Sequence, residues 1–201
     1  VSLLEITDKT LKDRLLGSVF VEAEVLKGLK LKANLGVDRR FQKRSNYLPK
    51  GTKWGGSANG KASISEVDNT DYLMDLTANY TRQFGKHNLN ALVGYSYQKF
   101  TEEGFSAGNE DFIIDSFLYH NLGAGNFSKP TVGSSGGTSS IGSYFARVNY
   151  SLMDKYLLTA TVRADGASNL AKGNQWGYFP SVSAGWRFID ETFIKSWVEK
   201  F

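Results

Sequence analysis

The sequence predicts an all-β fold in which about seven antiparallel strands form a segment of a larger transmembrane β-barrel. Three observations support this prediction. Apolar and polar residues alternate over seven stretches, short and long connections follow each other in turn, and one side of each stretch is apolar and aromatic. A period of two places alternate side chains on opposite faces of a strand. An apolar outer face with a polar inner face is typical of outer-membrane barrels.

The composition of the 201-residue chain suits such a sheet and excludes several other classes. The chain holds 13% aromatic residues, 21 glycines and 3 prolines, as expected for many strands joined by flexible turns. The absence of cysteine excludes disulfide frameworks and thiolate metal sites. No run of about 18 apolar residues occurs, which excludes a spanning helix. The net charge of +4 is scattered along the chain, so we predict no nucleic-acid partner.

The first two predicted strands form a hairpin. Residues 1–14 are polar and mixed in charge, and they are predicted to be the end of a loop. Alternation then runs from Leu16 to Leu26 and from Leu29 to Phe41. A tight turn at Lys27-Gly28 separates the two strands, because Gly28 is free to take a positive φ.

A second hairpin follows a long predicted loop. Residues 42–69 show no period and are rich in glycine, so they are predicted to be irregular. Strands are predicted over Asp71–Gln83 and Leu89–Phe100, with a short turn over residues 84–88 between them.

A second long connection is predicted over residues 103–141. It ends in the Gly/Ser-rich stretch TVGSSGGTSSIG, which favours a loop. A brief apolar patch, Phe112 to Leu118, is predicted to be a helical turn or another small ordered element.

The third hairpin has the clearest pattern. Strands five and six are predicted over Tyr144–Leu152 and Tyr156–Asp165, around the break at Asp154-Lys155. A loop of roughly residues 167–177 leads to strand seven, which carries Val182, Ala184, Trp186 and Phe188 on its apolar side. The period then changes, and a short helix is predicted that is capped by Asp190 and presents Phe193, Trp197 and Phe201 on one face.

The strand lengths indicate a membrane barrel. The predicted strands run for about 10–13 residues, longer than the ~5–6 of globular sheets and enough for the ~9–11 that a tilted strand needs to cross a bilayer. Short turns at one rim and long loops at the other are typical of such barrels. A single-chain bacterial barrel closes with an even number of at least eight strands. Seven strands are therefore predicted to be part of a larger barrel. Girdle positions are predicted at Tyr95, Tyr97, Tyr144, Tyr150, Tyr156 and Trp186.

Several segments closely resemble one family. These are SYFARVNYSLMDKYLLTATVRADGAS and GYFPSVSAGW, followed by Glu191 and Phe193, together with LLGSVFVEAEVLKGLKLKANLGVD and the turn Gly85-Lys86-His87-Asn88-Leu89. They resemble the SusC/RagA family of TonB-linked outer-membrane proteins of Bacteroidota, over about residues 15–195. Asn169-Leu170-Ala171 departs from the Arg-Phe-Gly-like sequence expected in that loop, which bears on ligand contacts more than on the fold.

The resemblance implies a 22-stranded barrel with an internal plug, located in the outer membrane. It implies import of oligosaccharides, or of peptides in some members, with a SusD-like surface lipoprotein and energy supplied through TonB. Residues 1–201 are expected to belong to the barrel domain, without the plug or the TonB-contacting box. The expected partners are that lipoprotein, TonB through the plug region, outer-membrane lipid and the cargo. No enzyme activity and no cofactor are expected.

Trp54, Trp176 and Tyr178 are the candidate substrate-binding residues. They lie in or beside the predicted long loops, where aromatic rings can stack on sugar rings. Packing within a girdle or loop explains them as well, and both interpretations stay open. Arg147, Arg163, Asp165 and Arg187 are predicted to project from the polar face, where pairing in the barrel wall or contact with a plug is favoured over a cargo path.

Other chemical motifs are weak. Residues 133–137 match G-x-S-x-G, but a nucleophile elbow needs a strand before and a helix after it. His87 and His120 lie in different connections and lack metal-ligand spacing. Five carboxylates lack the spacing of a calcium loop, and a solvated loop is favoured for them. They are Glu102, Glu103, Glu110, Asp111 and Asp115.

A soluble binding module is the alternative hypothesis. In this alternative the strands form a β-sandwich, or an adhesin-like domain, that binds carbohydrate through its aromatic loops. The apolar face distinguishes the two, because a sandwich must cover that face with a second sheet, whereas a barrel exposes it to lipid.

Overall fold

A computed structural model describes residues 5–192 and Ile194, and it contains one sheet of seven antiparallel strands in chain order. The predicted all-β class, strand number and meander topology are therefore confirmed. The strands are β1 (Thr7–Leu26), β2 (Leu29–Leu48), β3 (Lys61–Phe84), β4 (His87–Glu110), β5 (Thr131–Leu152), β6 (Tyr156–Ala167) and β7 (Trp176–Trp186).

Tight turns join the strands within each of the three predicted hairpins. Gly28 has a φ of 81°, and a Cβ at this position would collide with the carbonyl oxygen of Thr81, so glycine is required there. Met153 and Asp154 both have positive φ values, 55° and 56°, as in the primed turns that match the twist of a hairpin. Connections of 12 and 20 residues, over residues 49–60 and 111–130, separate the hairpins as the sequence predicts.

Strands β1 to β5 are much longer than predicted. Residues 7–14 belong to β1 rather than to a loop, and the predicted loop over residues 42–69 is wrong at both ends. Both faces of these segments are polar, so no apolar period marks them. Ion pairs join their side chains instead: Arg44 pairs with Asp8, and Arg14 with Asp38 at 2.8 Å.

The Gly/Ser-rich stretch is also a strand, and the predicted loop over residues 103–141 is wrong at both ends. Residues 103–110 lie in β4 and residues 131–141 in β5, which are neighbours in the sheet. A sheet pairs backbone groups, so small side chains suffice where no apolar core has to be filled. The approach is close, because a Cβ on Gly104 would lie 2.5 Å from the hydroxyl of Ser135.

Helical structure is sparse among the described residues. One turn of α-helix, α1, covers Lys53–Gly56 and is capped by the side chain of Thr52. A 3₁₀ turn at Asp115–Phe117 confirms the small ordered element predicted in the apolar patch. The predicted helical face of Phe193, Trp197 and Phe201 lies outside the described residues. No described helix is both long and apolar enough to span a membrane.

The described residues divide into two compact units. The loop unit comprises residues 5–17, 37–71 and 100–138, and the band unit comprises residues 18–36, 72–99, 139–192 and Ile194. In the described part of the chain, the fully buried apolar side chains are Tyr47, Ala62 and Phe112, all in the loop unit. The band unit is therefore an extended sheet without a buried apolar core of its own.

Candidate functional surfaces

The register of the third hairpin and β7 places uncharged residues in rows across one face. Directly paired residues share a face, and successive rows on this outer face contain three residues each. Three of these rows are Tyr144–Ala164–Tyr178, Val148–Ala160–Val182 and Leu152–Tyr156–Trp186. Val182 is 75% exposed, and no second sheet covers this face among the described residues. The soluble sandwich is therefore wrong as a description of the fold.

The outer face carries an apolar band of nearly constant length. In every strand an alternate series of uncharged residues runs for about 9–11 residues, the length that crosses a bilayer. The series cover residues 15–25, 29–37, 72–80, 89–97, 144–152, 156–164 and 176–186. Beyond the band, charged residues occupy the same series, as with Arg39 and Asp68, which form an ion pair.

Aromatic rings border the band at both ends. At the end nearer the long connections, Tyr144 lies between Tyr95 and Trp176, with ring centroids 4.9 and 6.1 Å apart. At the end nearer the tight turns, Tyr156 stacks on Trp186 at 6.4 Å. Tyrosine and tryptophan are enriched where lipid meets water. These contacts match the girdles of a membrane barrel.

Trp176 and Tyr178 both lie on the outer face of β7, so Trp176 is not in the loop predicted over roughly residues 167–177. The indole of Trp176 lies over Gly166, where a Cβ would approach it to 2.9 Å. This contact supports the girdle interpretation of Trp176. The stacking of a sugar on the ring of Trp176 or Tyr178 stays a prediction. Trp54 belongs to the loop unit, on the exposed side of α1, so it does not share a unit with the other two candidates.

The opposite, inner face of the band is polar and joined by side-chain hydrogen bonds. The amide of Asn90 donates to Asn79 at 2.9 Å, and the hydroxyl of Thr159 donates to Asn149 at 3.0 Å. The hydroxyl of Ser96 donates to Asp75 at 2.6 Å. Such a surface stays hydrated rather than meeting lipid, because its polar groups need water or protein partners.

The inner-face arginines take part in wall contacts, as the sequence favours. Arg163 pairs with Asp165 at 2.7 Å, and Arg187 pairs with Asp190 at 3.0 Å. Arg147 donates to the hydroxyl of Thr161 at 3.4 Å. Arg163 and Asp165 also line a hollow of about 360 Å³, together with the side chains of Ser143, Gln98, Gln175 and Phe179. No sequence motif singles out these four residues, although their positions in the alternation place all but Gln175 on the inner face.

The loop unit is organised around Tyr47 and Phe112, whose rings meet edge to face at 5.8 Å. The hydroxyl of Tyr47 donates to Asp115 at 2.6 Å. Burial, with that hydrogen bond and the carboxylate charge, raises the pKa of Tyr47 well above its usual value. The connection over residues 111–130 is thereby fixed to β2.

Asp111 joins three segments of the loop unit. Its carboxylate accepts from the amides of Asn59 at 2.7 Å and Asn126 at 2.9 Å. These bonds, with the nearby charges of Lys129 and Lys50, hold the pKa of Asp111 below its usual value. Its backbone N–H donates to the carbonyl of Ala58. The predicted solvated loop is therefore an ordered, hydrogen-bonded one.

The weaker motifs find structural roles. The G-x-S-x-G stretch lies inside β5, with no helix after it, so the elbow geometry is missing. His87 contacts the hydroxyl of Tyr150 at 2.6 Å and stacks on Phe84. Among residues 5–192, no group of three potential metal ligands comes together.

A band of lipid-crossing length, two aromatic girdles and a polar inner face define a segment of the wall of a membrane-spanning β-barrel. The chain belongs to the family of TonB-dependent receptor-like β-barrels, whose family model matches residues 21–197. Proteins of this family lie in the outer membrane of Gram-negative bacteria. The predicted membership is confirmed.

Individual relatives support the same assignment. TonB-dependent receptor P3 of Formosa agariphila is 32% identical over 191 residues, which cover 95% of this chain and 19% of the relative. TonB-dependent receptor SusC of Bacteroides thetaiotaomicron is 36% identical over 132 residues, or 64% of this chain and 13% of the relative. A chain of the RagAB peptide transporter has the same fold, with a TM-score of 0.86 at 22% identity, over 94% of this chain and 21% of that chain.

The chain spans about a fifth or less of the length of these relatives. These relatives are receptors and a transporter by name, and the resemblance to the SusC/RagA family is confirmed.

Proposed function

We propose that this chain forms part of the barrel wall of a TonB-dependent outer-membrane transporter. The transporter imports oligosaccharides, or other large nutrients such as peptides. Residues 1–201 then form part of a barrel of 22 strands, and the plug and the TonB-contacting segment belong to the rest of the longer protein. The transporter works with a SusD-like surface lipoprotein in a Bacteroidota-like outer membrane. It is not an enzyme and uses no cofactor.

The observation that carries this proposal is the two-sided sheet. A charge-free outer face of lipid-crossing length suits the bilayer, and a hydrogen-bonded polar inner face suits a hydrated interior. Family membership supports transport driven through TonB. The name SusC, borne by one relative, and the RagAB neighbours support a lipoprotein partner.

Trp54, Trp176 and Tyr178 remain the candidate substrate-contacting residues within this proposal. Trp54 is the strongest of the three, because it is 57% exposed on α1 in the loop unit and outside the apolar band. Loops at the long-connection rim are extracellular in such barrels, so Trp54 is accessible to a ligand that arrives from outside.

The experiment is fractionation of cells that express the full-length parent protein, followed by a heat-modifiability gel and mass spectrometry of co-purifying proteins. The proposal predicts recovery in the outer membrane, a heat-shifted band and a co-purifying surface lipoprotein. A soluble monomer without a heat shift would contradict the transporter. Recovery in the outer membrane without a lipoprotein would contradict only the partnership.

A further inference from the structure

The hollow on the inner face is lined by polar, charged and aromatic side chains. Side chains from β4, β5, β6 and β7 meet around it, and its row Ser143–Asp165–Gly177 lies between the girdle rows that contain Trp176 and Tyr144. It therefore lies at the end of the apolar band nearer the long connections, which is the extracellular end in such barrels. A volume of about 360 Å³ falls within the range of small-ligand sites.

Two glycines leave room for phenylalanine rings on the inner face of the sheet near the hollow. A Cβ on Gly94 would collide with the ring of Phe145, and a Cβ on Gly177 would lie 2.9 Å from the ring of Phe179. Both phenylalanine rings therefore lie close against the backbone of the sheet instead of projecting from it. Phe179 is more than half exposed, so it presents an open aromatic surface to the hollow.

Arg163 lies between Phe145 and Phe179 in the cross-strand register, and its side chain contacts Phe145, Asp165 and Ser143. It pairs directly with Phe145 in one neighbouring strand and with Phe179 in the other. Its guanidinium carbon lies 5.8 Å from the centre of the Phe145 ring. Its Nε donates to both oxygens of Asp165, at 2.7 and 3.0 Å, and its Nη2 donates to the buried hydroxyl of Ser143 at 3.0 Å.

Some hydrogen-bonding groups that line the hollow beside Asp165 are unpaired among the described residues. In the described part of the chain, Nη1 of Arg163 and the side-chain amides of Gln98 and Gln175 have no hydrogen-bond partner. Asp165 neutralises Arg163, so the hollow has no net charge of its own. Planar donors and acceptors, an open aromatic ring and no net charge suit a neutral polyhydroxylated ligand better than an ionic one.

We propose that this hollow is a subsite for one sugar unit of a neutral oligosaccharide on its way through the barrel. In this subsite Arg163, Gln98 and Gln175 hydrogen-bond the sugar hydroxyls, and Phe179 packs against an apolar sugar face. The proposal rests on the proposed import function and gives it a location and a ligand chemistry.

Binding by the full-length receptor tests the subsite. The probes are fluorescently labelled hexamers of neutral glucan, mannan and galactan, with a labelled peptide library as the other cargo class. Arg163→Gln is compared with Arg147→Gln, which removes an inner-face charge outside the hollow. Gln98→Ala and Gln175→Ala remove no side-chain hydrogen bond of the described residues, so they test the subsite even if Arg163→Gln fails to fold.

We expect at least one hexamer to bind. Arg163→Gln then weakens its affinity about tenfold or more, and each glutamine variant weakens it about three- to tenfold, as lost hydrogen bonds of these types do. Arg147→Gln leaves the affinity unchanged, and all folded variants keep the heat-shifted band. Equal hexamer affinity in the wild type and all variants overturns the subsite but not import. Binding of peptides and of no hexamer overturns the subsite together with the choice of oligosaccharide cargo.

Discussion

The loop unit and the band unit share strands β1 to β5, yet their outer faces follow different rules. In the loop unit, charges stand on the outer series and pair across strands, as Arg39 does with Asp68. Within the apolar band the same series carries only uncharged residues, such as Val148 and Val182. The backbone is continuous, so the change reflects the medium around the side chains. The point where charge begins marks the point where the strand leaves lipid.

The two units also differ in what holds them together. The loop unit has a buried cluster around Phe112 and a hydrogen-bond network around Asp111. The band unit depends on backbone pairing, aromatic contacts and the polar ladder of its inner face. The loop unit therefore has a buried core of its own, whereas the band unit has the two-sided surface of a barrel wall.

The largest effect is expected in the core of the loop unit. Phe112→Ala removes a ring that is 1% exposed, and such truncations cost about 3–5 kcal/mol. Hydrogen exchange of residues 111–130 in the full-length receptor should rise sharply, while exchange in the band stays slow. Phe127→Ala is the matched control, because Phe127 is 94% exposed. Equal exchange in the two variants would show that the cluster does not order the connection.

The next largest effect tests the band. Val182→Arg places a charge on the outer face near the middle of β7 and should cost about 2–4 kcal/mol in a bilayer. Ser183→Arg places the same charge one residue further, on the inner face, and should cost much less. The measurement is the folded, heat-shifted fraction of full-length receptor in lipid vesicles over a urea series. A larger loss from Ser183→Arg would reverse the assignment of the faces.

A smaller effect distinguishes the glycines of the two units. Gly94→Ala in the band unit forces the ring of Phe145 to move, and overpacking of this kind costs about 1–3 kcal/mol. Gly137→Ala in the loop unit meets nothing within 4 Å and should be neutral or slightly stabilising. Urea midpoints of the two variants provide the comparison. Similar urea midpoints would mean that the packing of the Phe145 ring does not require the absence of a side chain at Gly94.

The smallest effect is the response of the loop unit to acid. The pKa of Asp111 is lower in the folded chain than its usual value near ~3.9. Its contribution to stability is present above that usual value and is lost as the pH falls through the lower, folded value. Protection of residues 111–130 from hydrogen exchange, corrected for the intrinsic rate, should therefore weaken below about pH 4. Asp111→Asn should weaken this pH dependence, and an unchanged profile would contradict the role of the carboxylate.

The strands are predictable from the sequence where one face is apolar. Residues Tyr144–Leu152 alternate because lipid and water select opposite side chains, so the strand could be read directly. No such alternation marks residues 42–48 and 131–141, because charged, polar and small residues occupy most positions on both faces there, even though Tyr47 is buried. The ends of the long strands therefore could not be predicted from a period.

The candidate surfaces were predictable only in part. The alternation places Arg163 and Asp165 on the inner face, but the hollow beside them depends on cross-strand register and on the missing side chain of Gly177. The network of Asp111 joins Asn59 and Asn126, which are far apart in the chain. Neither feature has a spacing that sequence alone reveals.

The most direct test of the central claim is an accessibility scan of β5 in the membrane. Single cysteines are introduced at positions 144–152 of a receptor from which any other cysteine has been removed, and they carry nitroxide labels; residues 1–201 themselves contain no cysteine. Collision rates with oxygen, which concentrates in lipid, and with a polar nickel complex then report the medium at each position. We predict that labels at even positions meet oxygen, whereas those at odd positions meet the nickel complex. Equal access at both sets, or the opposite alternation, would contradict the lipid-facing band.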